Sequence, residues 1–243
     1  MSSHEPSDGR LFRFKQFSLT DMGCGMKIGT DGVLLGSIAS RYESRKTLDV
    51  GTGCGLIALM IAQKSLAQIT ALEIDKQASE TAMLNVRNSP WASRIDVVNK
   101  SFLDFYLQTT QIFDLIACNP PFFHKSHLTP DSKRNLARHS DTLSPAELLY
   151  GVSRILSDEG KLLVIIPFDQ EHLWESEAAR VGMHLLQVLR ILPKARDKPQ
   201  RSILEISRNA AETKVENLII EKDQRYSFTR EYIDLTKDYY ILM

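Results

Sequence analysis

The sequence has no excess of charge of either sign. Its 30 lysine and arginine residues balance 30 aspartate and glutamate residues, so the formal net charge at pH 7 is zero. A strongly basic total would have indicated a nucleic-acid-binding protein, and that indication is missing from the chain as a whole. A neutral total still permits basic patches on individual loops, so the positions of the charges matter more than their sum.

Cysteine is scarce, and its spacing excludes the common metal-binding motifs. The three cysteines, Cys24, Cys54 and Cys118, fit no zinc-ligand pattern, and an odd number leaves at least one unpaired. We therefore predict reduced thiols, no bound metal and a cytoplasmic location. No apolar run reaches the roughly 18 residues that span a bilayer, and the polar residues 1–9 do not resemble a signal peptide, so no membrane partner is expected.

Internal repeats, low-complexity tracts and linker-like stretches are also missing, which favours a single domain over residues 1–243. From residue 46 onward, short β-rich runs alternate with amphipathic helical runs, and this alternation predicts an α/β fold with a mostly parallel sheet. The predicted helices include 56–64, 76–87 and 145–156. The predicted strands are 47–50, 69–74, 95–99, 113–118, 161–166, 184–192 and 201–207.

The last two predicted strands have no helix between them, which predicts an antiparallel edge strand in a seven-stranded sheet. Strands and helices in this order are typical of a Rossmann-like class I methyltransferase rather than of a complete dinucleotide dehydrogenase. We assign residues 46–211 to this core. The weakly patterned tail, 212–243, is expected to pack on the core.

A glycine-rich turn follows the first predicted strand and carries Gly51, Gly53 and Gly55 after Asp49. Glycines let the backbone turn sharply and approach a ligand closely. A carboxylate at the start of the turn can hold a cationic amine and disfavours the pyrophosphate of a dinucleotide. S-adenosyl-L-methionine carries such an amine, so we predict it as the cofactor.

Two further positions are predicted to contact this cofactor. Glu73 ends the second predicted strand, 18 residues after Gly55, where a carboxylate accepts hydrogen bonds from both ribose hydroxyls. We assign its neighbour Ile74 to the same pocket. After the third predicted strand, either Ser101 or Asp104 can bond the adenine amino group.

The adenine contact stays open between these two side chains. Proteins of this architecture often carry aspartate at the position of Ser101, and Asp104 lies three residues further on. Phe102, between them, can cover the face of the adenine ring.

The segment Asn119-Pro120-Pro121-Phe122 directly follows the fourth predicted strand. An exocyclic amine on a planar base is a poor nucleophile, because its lone pair is delocalised into the ring. Two acceptors aimed at its hydrogens, the Asn119 side-chain carbonyl and the Pro120 backbone carbonyl, make that nitrogen more tetrahedral. Proline presets the direction of the second carbonyl, and Phe122 can stack on the base. The segment therefore predicts methyl transfer to a conjugated amino nitrogen.

With these motifs the chain resembles the bacterial tRNA(Val) adenine-N6 methyltransferases, which modify the adenine just 3′ of the anticodon. Residues 14–17 (FKQF) and 26–36 (MKIGTDGVLLG) are similar to that family's N-terminal segment, and residues 119–122 are similar to its catalytic motif. The resemblance implies that the protein forms N6-methyladenosine at adenine-37 of tRNA(Val), and we expect it to be a monomer. It also implies that residues 10–45, which we call the covering segment, lie over the cofactor. The pocket residues that it assigns there are Lys27, Gly29, Thr30 and Asp31.

Two local basic clusters are candidate tRNA contacts, because they flank the predicted base pocket. The first follows the catalytic motif, and the second lies in the turn between the last two predicted strands. The assigned residues are Lys125, Lys133, Arg134, Arg138, Lys194, Arg196, Lys198 and Arg201.

Three other functions fit parts of the same pattern. An N2-guanine methyltransferase of ribosomal RNA uses a similar Asn-Pro-Pro-Phe motif, but residues 26–36 argue against it. A protein glutamine N5-methyltransferase uses a related motif on a planar amide, and it would have no need of basic loops. A non-catalytic binding module would need neither Asp49 nor Asn119.

Overall fold

One eight-stranded sheet is the centre of the fold in the computed structural model, which describes residues 10–121 and 143–241. The strands are β1 Leu11–Arg13, β2 Ser18–Thr20, β3 Lys46–Val50, β4 Gln68–Glu73, β5 Ile95–Asn99, β6 Phe113–Cys118, β7 Leu156–Pro167, β8 His184–Lys194, β9 Arg201–Ser207 and β10 Lys214–Glu221. The α-helices are α1 Thr30–Ala39, α2 Leu56–Lys64, α3 Lys76–Arg87, α4 Phe102–Gln108, α5 Pro145–Ile155, α6 Glu171–Arg180 and α7 Arg230–Thr236.

The sheet runs in the order β10-β8-β9-β7-β6-β3-β4-β5, and β9 alone among these strands is antiparallel to its neighbours. The predicted mostly parallel Rossmann-like sheet is confirmed. Its strand count was wrong, because the tail supplies an eighth strand, β10, which pairs in parallel with β8. The antiparallel strand β9 pairs with both β7 and β8, so it lies inside the sheet and not at its edge. Only the second half of β10 is even partly buried, which explains its weak hydrophobic pattern.

The two faces of the sheet are covered by different helices. Side chains alternate along each strand, so neighbouring residues such as Ile116 and Ala117 belong to opposite hydrophobic clusters. Helices α1, α2, α3 and α7 contribute to one cluster, and α4, α5 and α6 contribute to the other. Burial on both faces explains why β6 is apolar almost throughout.

Helix starts follow local capping chemistry. Asp75 caps α3 by accepting a hydrogen bond from the Ala78 amide at 2.8 Å. Ser144 and Glu147 form a capping box at the start of α5. Helix α1 begins at Thr30, and Gly29 is its cap without any side-chain bond.

The C-terminal tail packs against the covering segment and α2. Buried Tyr239 donates to the Ser40 hydroxyl at 2.7 Å and also bonds the Met60 carbonyl at 3.1 Å. The Gln63 amide bonds the Asp238 carbonyl at 2.8 Å. All three cysteines are buried and free. No helix within the described ranges is both long enough and apolar enough to cross a membrane.

Removal of the Tyr239 hydroxyl tests how firmly the tail is bound. Tyr239→Phe leaves the buried Met60 carbonyl and Ser40 hydroxyl without this partner, so the free energy of unfolding should fall by about 1 kcal/mol. Urea denaturation followed by circular dichroism measures the change. The half-exposed Tyr150 is the matched control, and Tyr150→Phe should leave the midpoint unchanged. Equal midpoints for both variants would contradict the packing described for the tail.

Candidate active site

A cavity of about 1190 Å³ lies where β3, β4 and β6 end. Single small-molecule pockets enclose roughly 300–1,000 Å³, so this cavity has room for a cofactor beside a second ligand. The covering segment, the glycine turn, the end of β4, the start of α4 and the Asn119 segment all contribute to its walls. Of the predicted cofactor and catalytic residues, those lining it are Lys27, Gly29, Thr30, Asp31, Gly51, Gly53, Glu73, Ile74, Ser101, Phe102, Asn119, Pro120 and Pro121.

The glycine turn presents bare backbone to this cavity. Gly51 and Gly53 have φ angles of 71° and 57°, in the left-handed region that other residues rarely adopt. A Cβ built on either glycine would have no protein atom within 4 Å. The turn therefore leaves open space against its backbone, as a ligand that approaches the main chain requires. Gly55, the third glycine of the motif, does not line the cavity and caps α2 instead.

Asp49 lies beneath the turn and not in the cavity wall. Its Oδ2 accepts hydrogen bonds from the Thr52 hydroxyl at 2.6 Å and from the Ala58 amide at 3.2 Å. These bonds join the end of β3 to the turn and to the first turn of α2. Direct contact between Asp49 and a cofactor amine stays a prediction, whereas the observed contacts assign this carboxylate to holding the turn in shape. Its Oδ1 is buried without a hydrogen-bond partner.

Burial controls the ionisation of Asp49. The loss of solvent raises the pKa of its carboxyl to about 7, although the bonds from Thr52 and Ala58 act in the opposite direction. The negative charge of Glu73 raises this pKa further. A positively charged ligand in the adjacent cavity would lower it again.

Glu73 joins the second strand of the site to the glycine turn. Its Oε2 accepts from the Gly53 amide at 2.8 Å, and its Oε1 accepts from the Asp75 amide at 2.9 Å. Each carboxylate oxygen has a second lone pair available, so both can still accept from ribose hydroxyls. The position predicted from its spacing is therefore compatible with ribose binding.

Ser101 and Asp104 turn out to be partners. Ser101 caps α4 by accepting from the Asp104 amide at 3.0 Å, and its hydroxyl lies 2.6 Å from Asp104 Oδ2. Ser101 lines the cavity and Asp104 does not. Of the two candidates for the adenine contact, only Ser101 faces the cavity, and Asp104 holds the serine in place.

Apolar side chains complete this end of the cavity. Ile74 and Leu103 line it, yet they are 56% and 50% exposed in the chain alone. A flat ring bound at this end of the cavity would have apolar surface to pack against. Leu103 was missed from the sequence. Its only signal is an apolar residue just after a helix cap, which usually indicates core packing.

Asn119 faces the covering segment across the cavity. Its Nδ2 donates to the Met26 sulfur at 3.5 Å, while its Oδ1 is buried without a hydrogen-bond partner. A buried acceptor without a donor costs free energy unless a ligand supplies one. Met26 was also missed from the sequence, because a methionine in a loop carries no recognisable chemical pattern.

Close packing brings the covering segment to this point. A Cβ on Gly32 would lie 3.0 Å from the Leu56 side chain and 4.0 Å from Asn119 Nδ2, so a larger residue here would press against Leu56. At the neighbouring residue, Arg201 Nε donates to Asp31 Oδ2 at 2.9 Å. The segment is therefore bound to the last strands of the sheet as well as to the glycine turn.

The two predicted basic clusters differ in what the structure describes. Phe122 and the cluster Lys125, Lys133, Arg134 and Arg138 lie outside the described residues. The second cluster lies on the turn that joins β8 to β9, where Arg196 and Lys198 are exposed. Because β8 ends and β9 begins at the edge where β3, β4 and β6 end, this turn borders the same side of the sheet as the cavity.

Known proteins share both the sequence motifs around this cavity and the fold. The methyltransferase small domain family matches residues 24–170, a range that contains the glycine turn, Glu73 and Asn119. Two solved structures share the fold. A predicted O-methyltransferase from Agrobacterium tumefaciens has a TM-score of 0.61 at 18% identity and covers 86% of this chain and 96% of its own. A ribosomal protein L11 methylase from Lactobacillus delbrueckii subsp. bulgaricus has a TM-score of 0.52 at 17% identity and covers 72% and 78%.

Curated relatives match almost the whole chain. A protein of Bacteroides fragilis is 41% identical over 96% of this chain and 98% of the relative. Corresponding proteins of Bacteroides thetaiotaomicron and Flavobacterium psychrophilum are 42% and 40% identical, over 95% and 96% of this chain and 97% and 100% of the relatives. Each of the three is named tRNA1(Val) (adenine(37)-N6)-methyltransferase.

The sheet order, the open glycine turn and the Asn-Pro-Pro segment define a Rossmann-like methyltransferase. Sequence identity of 40–42% to these relatives over nearly the full length then identifies one family among these methyltransferases. The chain belongs to the family of the tRNA1(Val) (adenine(37)-N6)-methyltransferases. The resemblance inferred from the sequence motifs is thereby confirmed.

The raised pKa of Asp49 predicts a pH-dependent stability. Between about pH 4 and 7 the folded chain holds a proton on Asp49 that the unfolded chain has released, so stability falls as pH rises through this window. The loss amounts to at most about 4 kcal/mol above pH 7. Asp49→Asn has no proton to lose, so its Tm should rise relative to the parent chain as pH goes from 5 to 8.

Thermal unfolding of both proteins at several pH values measures this difference. The exposed Asp96 on β5 provides the control, and Asp96→Asn should follow the parent chain at every pH. A constant difference in Tm between Asp49→Asn and the parent chain would show that Asp49 does not titrate in this window.

Proposed function

We propose that the chain transfers a methyl group from S-adenosylmethionine to N6 of adenine-37 in tRNA(Val). The observation that carries this proposal is Asn119, which lines the cavity that the glycine turn borders and whose buried Oδ1 has no hydrogen-bond partner. The names of the full-length relatives support the substrate. We infer a cytoplasmic location, where tRNA is found, and a monomeric enzyme.

The residues of the cavity fit S-adenosylmethionine. Glu73 offers acceptors for the ribose, the open backbone of Gly51 and Gly53 accepts a closely approaching chain, and Ile74 with Leu103 offers apolar walls for adenine. When bound, S-adenosylmethionine supplies a methyl group that leaves its sulfur for the attacking nitrogen, and that nitrogen then releases a proton.

Asn119 and Pro120 prepare the nitrogen for this attack. The Asn119 Oδ1 accepts one amino hydrogen of the base, and the Pro120 carbonyl accepts the other. The lone pair is thereby drawn out of conjugation with the ring. Because the carbonyls are held by a strand end and a proline ring, they need no reorganisation as charge develops on nitrogen. Phe122 would stack on the base and keep it in line.

The covering segment also contributes to the proposed binding of the cofactor. Lys27 lines the cavity at a point where its Nζ lies 3.7 Å from buried Asp21, and it offers a cation to the cofactor carboxylate. Thr30 and Asp31, in the first turn of α1, line the cavity beside Asn119. We assign these residues to closing the cofactor against solvent.

The basic turn between β8 and β9 is the proposed site of phosphate contacts. Lys194, Arg196 and Lys198 lie on the cavity side of the sheet, where they would hold the anticodon arm while the adenine enters the cavity. Arg201 is bound to Asp31 at the rim, so its proposed role is to join this surface to the covering segment.

One assay separates this function from its rivals. The protein is incubated with labelled S-adenosylmethionine and total RNA from a strain that lacks the enzyme, and the labelled nucleoside is identified. N6-methyladenosine at position 37 of tRNA(Val) is expected. N2-methylguanosine in ribosomal RNA, or label in protein alone, would replace the proposal with one of the alternatives.

The role of Asn119 predicts a selective loss. Asn119→Ala removes one of the two acceptors that activate the amine, so kcat should fall at least about 100-fold. Affinity for S-adenosylhomocysteine, measured by calorimetry, should stay within a few-fold because the cofactor contacts are intact. Asn217→Ala, on exposed β10, is the control and should keep full turnover. Full activity of Asn119→Ala would remove the basis of the proposed mechanism.

The basic turn predicts a change in salt dependence. The triple variant Lys194→Ala, Arg196→Ala, Lys198→Ala should bind tRNA more weakly. The slope of log affinity against log salt should become shallower by about 0.7 for each phosphate that the variant no longer neutralises. Filter binding at several salt concentrations measures it.

An equal change of charge at the opposite edge of the sheet is the control. Arg45, Lys46 and Lys214 are exposed where β3 and β10 begin, and their triple alanine variant should keep the original slope. An unchanged slope in the triple variant of the basic turn would show that this turn does not contact the RNA phosphates.

A further inference from the structure

The turn after β10, residues 222–227, carries an unusual aromatic residue. Tyr226 is 70% exposed, and its φ of 65° is the only positive φ of a non-glycine residue among those the structure describes. Bulky aromatic residues rarely adopt this conformation, whereas glycine and asparagine adopt it readily. A tyrosine at such a position is unfavourable for the backbone and buries little surface, so packing alone gives no reason for it.

The turn holds Tyr226 firmly in place. The Lys222 amide bonds the Ser227 carbonyl at 2.7 Å, and Glu221 pairs with Phe228 in an isolated antiparallel bridge. The Tyr226 amide donates to Glu221 Oε1 at 3.1 Å. The ring is therefore presented to solvent from a fixed backbone.

A guanidinium group covers one side of this ring. The Cζ atom of Arg225 lies 4.9 Å from the Tyr226 ring centroid, which is a cation–π distance. With 70% of the residue exposed, the remaining ring surface is open to a flat partner. An aromatic ring beside an arginine is the arrangement on which unpaired nucleobases stack.

The position of the turn relates it to the catalytic cavity. Because β10 is parallel to β8, both strands end at the edge of the sheet where β6 delivers Asn119. The sheet order places β10 four strand spacings from β6, which is about 19 Å at the usual spacing of about 4.8 Å. The basic turn lies between them, and Lys194 Nζ donates to the Asp223 carbonyl at 2.9 Å, so the two turns are in direct contact.

We infer that Tyr226 and Arg225 form a stacking platform for an unpaired nucleobase of the tRNA, outside the base that is methylated. This inference rests on the proposed tRNA substrate. The adenine to be methylated enters the cavity, the phosphates cross the basic turn, and a neighbouring loop base stacks on the Tyr226 ring. Lys222 and Arg225 are balanced by Glu221 and Asp223, so the platform adds aromatic contact and no net charge.

This charge balance separates the platform from the basic turn by experiment. Tyr226→Asn removes the ring and suits the left-handed backbone, so the variant should fold at least as stably as the parent chain. Its affinity for an in vitro transcript of tRNA(Val) should fall at least about fivefold at fixed salt. The slope of log affinity against log salt should stay unchanged, in contrast to the triple variant of the basic turn.

Kinetics and two controls complete the test. KM for the transcript should rise in Tyr226→Asn, while kcat at saturating RNA stays near that of the parent chain. Tyr226→Phe keeps the ring and should bind within about twofold, since base–aromatic stacking needs no hydroxyl. Leu66→Ala, at an 89% exposed apolar residue just before β4 at the opposite edge, should change nothing.

Each outcome decides a separate question. Unchanged affinity in Tyr226→Asn, or a shallower salt slope, would overturn the platform even when the parent chain methylates the transcript. Failure of the parent chain to methylate any tRNA would overturn the proposed function itself. Weaker binding with unchanged slope, raised KM and rescue by phenylalanine would establish the platform.

Discussion

The parallel pairing of β3 with β6 is the constraint on which the site depends. Val50 lies opposite Cys118, so the chain leaves both strands at one level, into the glycine turn on one side and into Asn119 on the other. A slip of one residue would exchange the two faces of the strand and move Asn119 away from the turn. Both faces of β6 are apolar and almost wholly buried, so the strand stays in the interior of the sheet between β3 and β7.

The covering segment converts this open strand edge into a cavity. Gly32 lets α1 approach Leu56 and Asn119, and the ion pair between Asp31 and Arg201 fixes the segment to the antiparallel part of the sheet. The tail supports the same segment from behind through Tyr239 and Ser40. The N-terminal and C-terminal parts of the chain thus stabilise a site whose chemical groups lie between them.

The polar groups of the site divide into those that hold the loops in shape and those that can still bond a ligand. Asp49, Asp104 and the Asp31–Arg201 pair hold loops and caps. Glu73 does both, since its oxygens already accept backbone amides and can accept more. Asn119 Oδ1 is satisfied by no group of the described chain. In the proposed function, the substrate amine supplies the donor that this acceptor lacks.

The sequence by itself determined the local elements and the chemical groups. Glycine spacing, the capping box and the Asn-Pro-Pro segment are contiguous, so short-range rules read them directly. The tertiary structure decided what depends on contacts between distant residues. It shows that β10 belongs to the sheet, that Asp49 lies beneath the glycine turn and that Met26 and Leu103 line the cavity. Half-exposed edge strands, buried carboxylates and loop methionines carry no periodic signal, because their environment is set by residues far away in the chain.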